Sequence, residues 1–495
     1  MTAVRVPVSA IAGAACVFGF APFYAWPVPI VALALVFHLW SRSATPRDAA
    51  LCGFAFGLGY FLAGVSWVYV SLHDFGGMPL PLAALATLLF CGYLALFPAL
   101  TGWAAMRFAP ATAIARVFFA AAAFPGFEWI RGWLFTGFPW LTVGTSQVPD
   151  GPLAHFAPYA GAYGTSLAVT LVAASLAALF VAGASARGRI ACAAAIAVIF
   201  AGALAAGIPE FTHQSGKPVT MALLQGNIAQ ELKWRDDMRV RTLEAYRRMI
   251  FDANARIVVI PETALPAFLD ELPPDYLESL RAHAREANKD ILLGTVERRF
   301  RGNDYEYFNS LVNITAAGGG AYRKRHLVPF GEFIPTGFHW VLAILHIPLS
   351  DFSRGDASQP ALTAAGLRFG VAICYEDIFG EELIRQLPAA QILVNVSNDA
   401  WFGKSLAAEQ HLQASQMRAL ETGRWMVRST NTGASAAIDE TGHVVSRLPP
   451  FTAGTLIERV VPYEGLTPYA RWGNAPPVVA IVVIVLVLAW RRRAA

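Results

Sequence analysis

The sequence predicts a polytopic α-helical membrane bundle of about eight transmembrane helices that carries an exported α/β domain. Three observations predict it. Hydrophobic residues make up 56% of the chain and charged residues only 15%, far from the balance of an average soluble domain. The charges are also segregated: residues 1–208 hold twelve, and no lysine precedes Lys217. Beyond residue 209 short β-branched runs alternate with helical ones, the pattern of a layered α/β fold.

Apolar stretches long enough for a hydrocarbon core place helices near 7–23, 25–40, 50–71, 82–106, 115–137, 162–184, 189–208 and 476–490. The expected division is a bundle over 1–210, an exported domain over 211–470, and a last helix with a basic tail over 471–495. Arginines mark alternate loops: Arg42 and Arg47, Arg107 and Arg116, Arg187 and Arg189, then Arg491 to Arg493. Loops 72–81 and 141–161 carry neither Lys nor Arg. The positive-inside rule therefore puts both termini in the cytoplasm and the α/β domain outside. Within the bundle, Glu128 and Arg131 stand at i, i+3, either neutralising one another, holding the bundle together or contacting a lipid headgroup. Trp140 and its aromatic neighbours suit an interfacial belt.

In the exported domain, strands are expected at Val219–Leu224, Ile257–Ile260, Ile291–Thr295, Ser310–Ile314, Arg368–Ile373, Ile392–Val396, Met426–Ser429 and Ala436–Asp439. Helices are expected at Met238–Ala253, Tyr276–Ala287, Ile378–Leu387 and Ala408–Thr422. There is no basic stripe with interleaved aromatics, so a nucleic-acid partner is not expected. Zinc spacings, a phosphate-binding glycine loop and a dinucleotide fingerprint are also missing from the sequence, so no metal and no cofactor are expected.

Of the five cysteines, Cys16, Cys52, Cys91 and Cys192 fall in apolar stretches, where a thiol is usually a small filler. Cys374 instead ends a strand and precedes a helical segment. Helix N–H donors at such a corner lower a thiol's pKa, which suits a nucleophile. Two other strand ends carry reactive groups. Glu262 follows Ile257–Ile260 between Pro261 and Pro266, and Lys324 is followed eight residues later by Glu332. Each has a plainer reading: a carboxylate ending a strand in solvent, and a basic cluster Arg323–Arg325. Strand alternation favours one inward lysine between two outward arginines. A thiol needs a base, and its tetrahedral intermediate needs a cation or N–H donors at the oxyanion. Glu, Lys and Cys supply one of each. His326 and His411 are not needed for that chemistry and read as structural or substrate-adjacent.

These motifs occur in order with Phe135–Trp140, Gln225-Gly226-Asn227, Trp234, Ser397–Gly403 and Thr430–Gly433. Taken together the chain resembles the apolipoprotein N-acyltransferases, the membrane-embedded branch of the nitrilase (carbon–nitrogen hydrolase) superfamily. The resemblance implies a nitrilase-like αββα sandwich outside a bacterial inner membrane. It also implies a triad of Glu262 as base, Lys324 as oxyanion stabiliser and Cys374 as nucleophile. Glu332 would orient Lys324, the Tyr375 N–H would be a second oxyanion donor, and Glu376 would support the Cys374 loop or join the Glu332 network. The implied reaction moves an acyl chain from a phospholipid, typically phosphatidylethanolamine, through a Cys374 thioester. The acceptor is the α-amine of a diacylglyceryl-cysteine on an exported prolipoprotein. Trp234, Trp140, Trp401 and Phe402 are candidate substrate contacts. The competing expectations are a membrane-tethered amidase that resolves the thioester with water, and a transporter with an exported binding domain.

Overall fold

The computed structural model describes residues 2–181, 185–207, 209–233, 235–302, 304–315, 320–335 and 351–494. Its contacts divide the chain into two units: Met1–Tyr69, Pro79–Glu210 and Pro468–Ala495 form one, Val70–Met78 and Phe211–Thr467 the other.

The first unit is helical. In chain order it contains α1 (Thr2–Cys16), α2 (Pro27–Ser41), α3 (Pro46–Val65), α4 (Leu80–Phe108), α5 (Ala113–Arg131), α6 (Ala157–Leu179), α7 (Ala186–Ala206) and a last helix, Ala475–Ala494. Among the described residues six apolar spans are long enough to cross a membrane, while Val4–Gly19 and Pro27–Ser41 are shorter. Helix α3 opens on a capping box in which Thr45 and Asp48 satisfy each other's backbone N–H. It packs backbone to backbone on α4: a Cβ at Gly53 would lie 2.4 Å from the Pro98 carbonyl oxygen, so only a hydrogen fits there.

Helix α5 ends at Arg131, six residues before the end expected from composition. Hydropathy does not register the break that Gly132 and Gly137 introduce, and Phe135 is left-handed at φ 52°. The irregular backbone that follows finds its partners inside the unit, as a low-dielectric setting requires. One Arg131 guanidinium nitrogen donates to the carbonyls of Phe138 at 2.5 Å and Trp140 at 2.7 Å. Glu128 Oε1 accepts from the Val143 N–H at 2.8 Å. The Glu128–Arg131 pair, 3.9 Å apart, thus clamps the 138–143 segment.

The second unit is built on two six-stranded sheets and a small ribbon, β1 (Thr212–Gln214) paired with a strand at Tyr463–Gly465. The first sheet contains β2 (Val219–Gln225), β3 (Ile257–Ile260), β4 (Asp290–Arg301), β5 (Asp304–Asn313) and β6 (Ala321–Arg323), with Gly454–Val460 at the edge beside β2. The second holds β7 (Leu362–Ala364), β8 (Leu367–Ile373), β9 (Ile392–Ser397), β10 (Met426–Thr430), β11 (Ala436–Ile438) and β12 (Val444–Arg447). The strands β2, β3 and β4 run parallel, as do β8, β9 and β10.

Period-two alternation explains the layering. Met221, Leu223, Ile257, Val259 and Leu292 point from the first sheet into a core shared with Val371, Ile373, Val394, Val396 and Val427 of the second. The alternate residues Ala222, Leu224, Val258 and Ile260 pack outward on Leu243, Tyr246, Ile250 and Leu280 of helices α8 (Asp236–Asp252) and α9 (Pro274–Glu286). On the far side Ala372, Leu393 and Met426 pack on Leu412 and Ala419 of α10 (Ala407–Thr422). The order of layers is therefore αββα. The segment expected as a helix over 378–387 is broken: a 3-10 turn Cys374–Ile378, a single α turn Gly380–Leu383, and a second 3-10 turn Ile384–Gln386.

Candidate active site

Parallel strands release their C-terminal ends at one edge, where α/β sheets usually place chemistry. Strand β3 delivers Glu262 and β8 delivers Cys374. Lys324 follows β6, directly opposite Asn309 of β5, whose carbonyl takes the Lys324 N–H at 2.8 Å. The structure brings Glu262, Lys324 and Glu332 into one buried cluster. Lys324 is 1% exposed. Its Nζ lies 2.9 Å from Glu332 Oε2, 3.0 Å from Glu332 Oε1 and 3.6 Å from Glu262 Oε1. Burial works against the Lys324 ammonium, but Glu332, Glu262 and Cys374 outweigh it and raise its pKa.

Asn309 escaped the sequence reading. Its Nδ2 donates to Glu262 Oε1 at 2.7 Å and to Glu332 Oε1 at 2.8 Å, joining the two carboxylates. The other Glu262 oxygen accepts from the Asn398 N–H at 2.8 Å. No short motif marks it, since Ser310 and Asn313 on the same strand are also polar and buried. Gly294 makes room for this corner, since a Cβ there would fall 2.1 Å from the Pro261 carbonyl oxygen and 2.9 Å from the Glu262 Cα.

Cys374 is half-buried and left-handed at φ 53°, a backbone state that side chains other than glycine adopt only where neighbours enforce it. The thiol is within the electrostatic field of both Glu262 and Lys324. Its pKa departs from the sequence expectation. Burial, then Glu262, push the Cys374 thiol up, and Lys324 only partly opposes them. The helix whose N–H donors were expected to lower it is a 3-10 turn of five residues, with little dipole to offer.

Two buried networks hold the Cys374 corner. In the first, Glu376 accepts the N–H groups of Ile373 at 2.8 Å, Arg325 at 2.6 Å and His326 at 3.1 Å, and the Tyr322 hydroxyl at 3.2 Å. It staples the Lys324 segment to the Cys374 loop. Among the described residues it has no contact with Glu332. Burial pushes its carboxyl up to about 7, against the N–H groups that favour its charge.

In the second, His411 Nε2 meets the Cys374 carbonyl at 3.2 Å and Asp377 Oδ1 at 2.8 Å, and Nδ1 meets Asp399 Oδ1 at 3.0 Å. Arg428 bridges the same aspartates at 2.9 and 3.2 Å. Burial and Arg428 work against a charge on His411, but Asp377 and Asp399 outweigh them and lift it to about 9. Burial alone would raise Asp399, yet His411 and Arg428 hold it at about 2. The folded His411 thus binds its proton more tightly than an unfolded histidine near pH 6.5. Its stabilisation is complete below about pH 6.5 and disappears as pH rises through about 9. The melting temperature of the wild type is expected to fall over that window. In His411→Gln the fall is expected to be largely gone, from a lower starting point.

Tyr375 is buried, its ring edge-on to Phe379 at 5.0 Å. Trp401 and Phe402 sit half-buried on the 3-10 turn Asp399–Phe402. Segment 70–78 covers Trp401, with Ser71 Oγ donating to its carbonyl at 2.8 Å and Phe75 edge-on at 6.2 Å. Trp140 belongs to the helical unit, stacked on Phe138 at 6.0 Å and tilted on Trp67 at 4.9 Å. Trp234 lies outside the described residues. Among the described residues no His, Cys, Asp and Glu group is arranged to hold a metal ion.

An αββα sandwich is the architecture of a carbon–nitrogen hydrolase domain, here in a chain with membrane-length helices. The family model described as carbon–nitrogen hydrolase matches residues 220–467, and that described as apolipoprotein N-acyltransferase N-terminal domain matches residues 12–175. Curated relatives named apolipoprotein N-acyltransferase include one from Nitrosomonas europaea, 50% identical over 94% of this chain and 92% of its own. Another, from Chromobacterium violaceum, is 44% identical over 98% of this chain and 94% of its own. A third, from Pseudomonas aeruginosa, is 39% identical over 93% and 91%. The chain belongs to the apolipoprotein N-acyltransferase family.

Proposed function

We propose that this chain N-acylates lipoproteins by a two-step, ping-pong transfer through Cys374. The observation that carries the mechanism is the cluster itself: Lys324 held between Glu262 and Glu332, with Cys374 in the field of Glu262 and Lys324. A thiol raised by burial stays protonated at rest, so its proton moves to Glu262 only as sulfur attacks. Sγ adds to the sn-1 ester carbonyl of a phospholipid, and Lys324 with the Tyr375 N–H receives the oxyanion. The C–O bond breaks, Glu262 returns the proton to the leaving oxygen, and a lysophospholipid departs from the thioester. The α-amine of the diacylglyceryl-cysteine then attacks the thioester carbon. Glu262 takes a proton from the amine, the C–S bond breaks, and the thiol is restored.

Both substrates are fixed in a bilayer by their acyl chains, and the membrane-length helices let the enzyme meet them by lateral diffusion. Water has to be kept from the thioester, and Trp234, Trp401 and Phe402 are proposed as its cover, with Trp140 as a lipid contact. The arginine-rich loops support cytoplasmic termini and a periplasmic sheet domain at a bacterial inner membrane. Intact-mass analysis of the protein incubated with phosphatidylethanolamine tests the reading. A fatty-acyl increment discharged by a diacylglyceryl lipopeptide, yielding the triacylated product, is expected. Discharge by water but not by the lipopeptide would support an amidase instead, and a protein that is never acylated would refute both.

The room left by Gly294 provides a further test. Gly294→Ala is expected to displace the Glu262 corner, slowing acylation by roughly 10²-fold and destabilising the domain by about 1–3 kcal/mol. Single-turnover acylation and thermal melting measure the two effects.

A further inference from the structure

Lys233 is a second buried lysine at the same corner, absent from the mechanism above. It follows the 3-10 turn Gln230–Leu232 and is 2% exposed. Its Nζ donates to Thr263 Oγ1 at 2.7 Å, its hydrogen-bond partner among the described residues. Thr263 immediately follows Glu262 and is left-handed at φ 43°, a conformation that a β-branched residue keeps only when its surroundings impose it. Burying an ammonium costs several kcal/mol unless a charge compensates it, and a hydroxyl carries none. The negative group acting on Lys233 is Glu262.

We infer that Lys233 is a positioning residue for the acid–base work of Glu262: its hydrogen bond to Thr263 fixes the turn that carries the carboxylate. The inference rests on the reading of Glu262 as the base. In each half-reaction Glu262 takes a proton and must release it to a leaving group, so the carboxylate has to be held in one place through both steps. The charged and titratable groups around Glu262 are Lys324 at 3.6 Å, the Cys374 thiol, Glu332 across Asn309, and Lys233. Burial draws the Lys233 ammonium down to about 8, against the pull of Glu262.

The test is single-turnover Cys374 acylation by phosphatidylethanolamine in detergent micelles, on the full chain. Lys233→Met and Thr263→Val each remove one side of the hydrogen bond and are expected to slow acylation by roughly 10-fold, with the double variant no slower than either alone. Lys233→Gln keeps a donor for Thr263 and is expected to recover most of the rate. Additive losses in the double variant, or a Gln variant as slow as the Met one, overturn the inference. Should Lys233→Met not fold, Thr263→Val still decides it, since a wild-type rate there also overturns it. Glu262→Gln separates the two levels: acylation that persists in this variant overturns the base assignment itself, whatever Lys233 does.

Discussion

Cys374→Ala is expected to abolish the fatty-acyl mass increment while leaving the melting temperature close to wild type, because the half-buried thiol is a reactive group more than a packing one. Glu262→Gln is expected to retain the Asn398 N–H contact and lose the base. General acid–base groups contribute roughly 10²–10⁴-fold, and a thiol raised by burial leans on its base more than an acidic one. The loss in Glu262→Gln is therefore expected at the upper end, about 10⁴-fold in single-turnover acylation. Full acylation of the alanine variant would remove the thioester from the mechanism. Full-rate acylation of the glutamine variant would mean that another group takes the proton.

Lys324→Met is expected to combine loss of activity with loss of stability. Glu262 and Glu332 both face this ammonium, and without it two buried carboxylates linked by Asn309 repel each other. Breaking a buried ion pair from one side costs about 3–5 kcal/mol, a fall of about 10 °C in melting temperature for a domain of this size. Acylation is expected to fall by about 10³-fold with the oxyanion contact gone. Adding Glu332→Gln to Lys324→Met is expected to recover part of the stability and none of the rate. Such non-additivity is the signature of groups sharing one network. Equal losses in the single and double variants would show that the two carboxylates do not communicate.

The parts of the fold legible in the sequence were those set by strong periodicity. Ile257–Ile260 reads as a buried strand because all four residues are β-branched and apolar, and the strand has those bounds. Edge elements were not legible. Leu362–Ala364 and Ala321–Arg323 are three-residue strands that exist only because a neighbour supplies hydrogen bonds. The end of α5 and the broken segment after Cys374 were misplaced for a related reason. Apolar content continues through both, while glycine and side-chain capping, invisible to hydropathy, decide where the helix stops. At the site, the order of motifs pointed to Glu262, Lys324, Glu332 and Cys374. Asn309, Lys233 and the Asp377–His411–Asp399–Arg428 network belong to no short motif, and their partners are brought together only by folding. Glu376 left two options open in the sequence, and in the structure it accepts the N–H groups of Ile373, Arg325 and His326.

Asn309 gives one hydrogen of a single planar amide to each of two acids. The two carboxylates consequently form a rigid coupled unit: a shift of the 324–332 segment drags the base along. An amide also has a direction. Rotated by half a turn, it would turn its oxygen toward both acids, so only one of its two orientations suits an ionised pair. For redesign toward bulkier acceptors, the backbone at Lys324–Glu332 is a poor place to insert residues. Insertions are better placed outside 324–332, where the backbone does not move that amide.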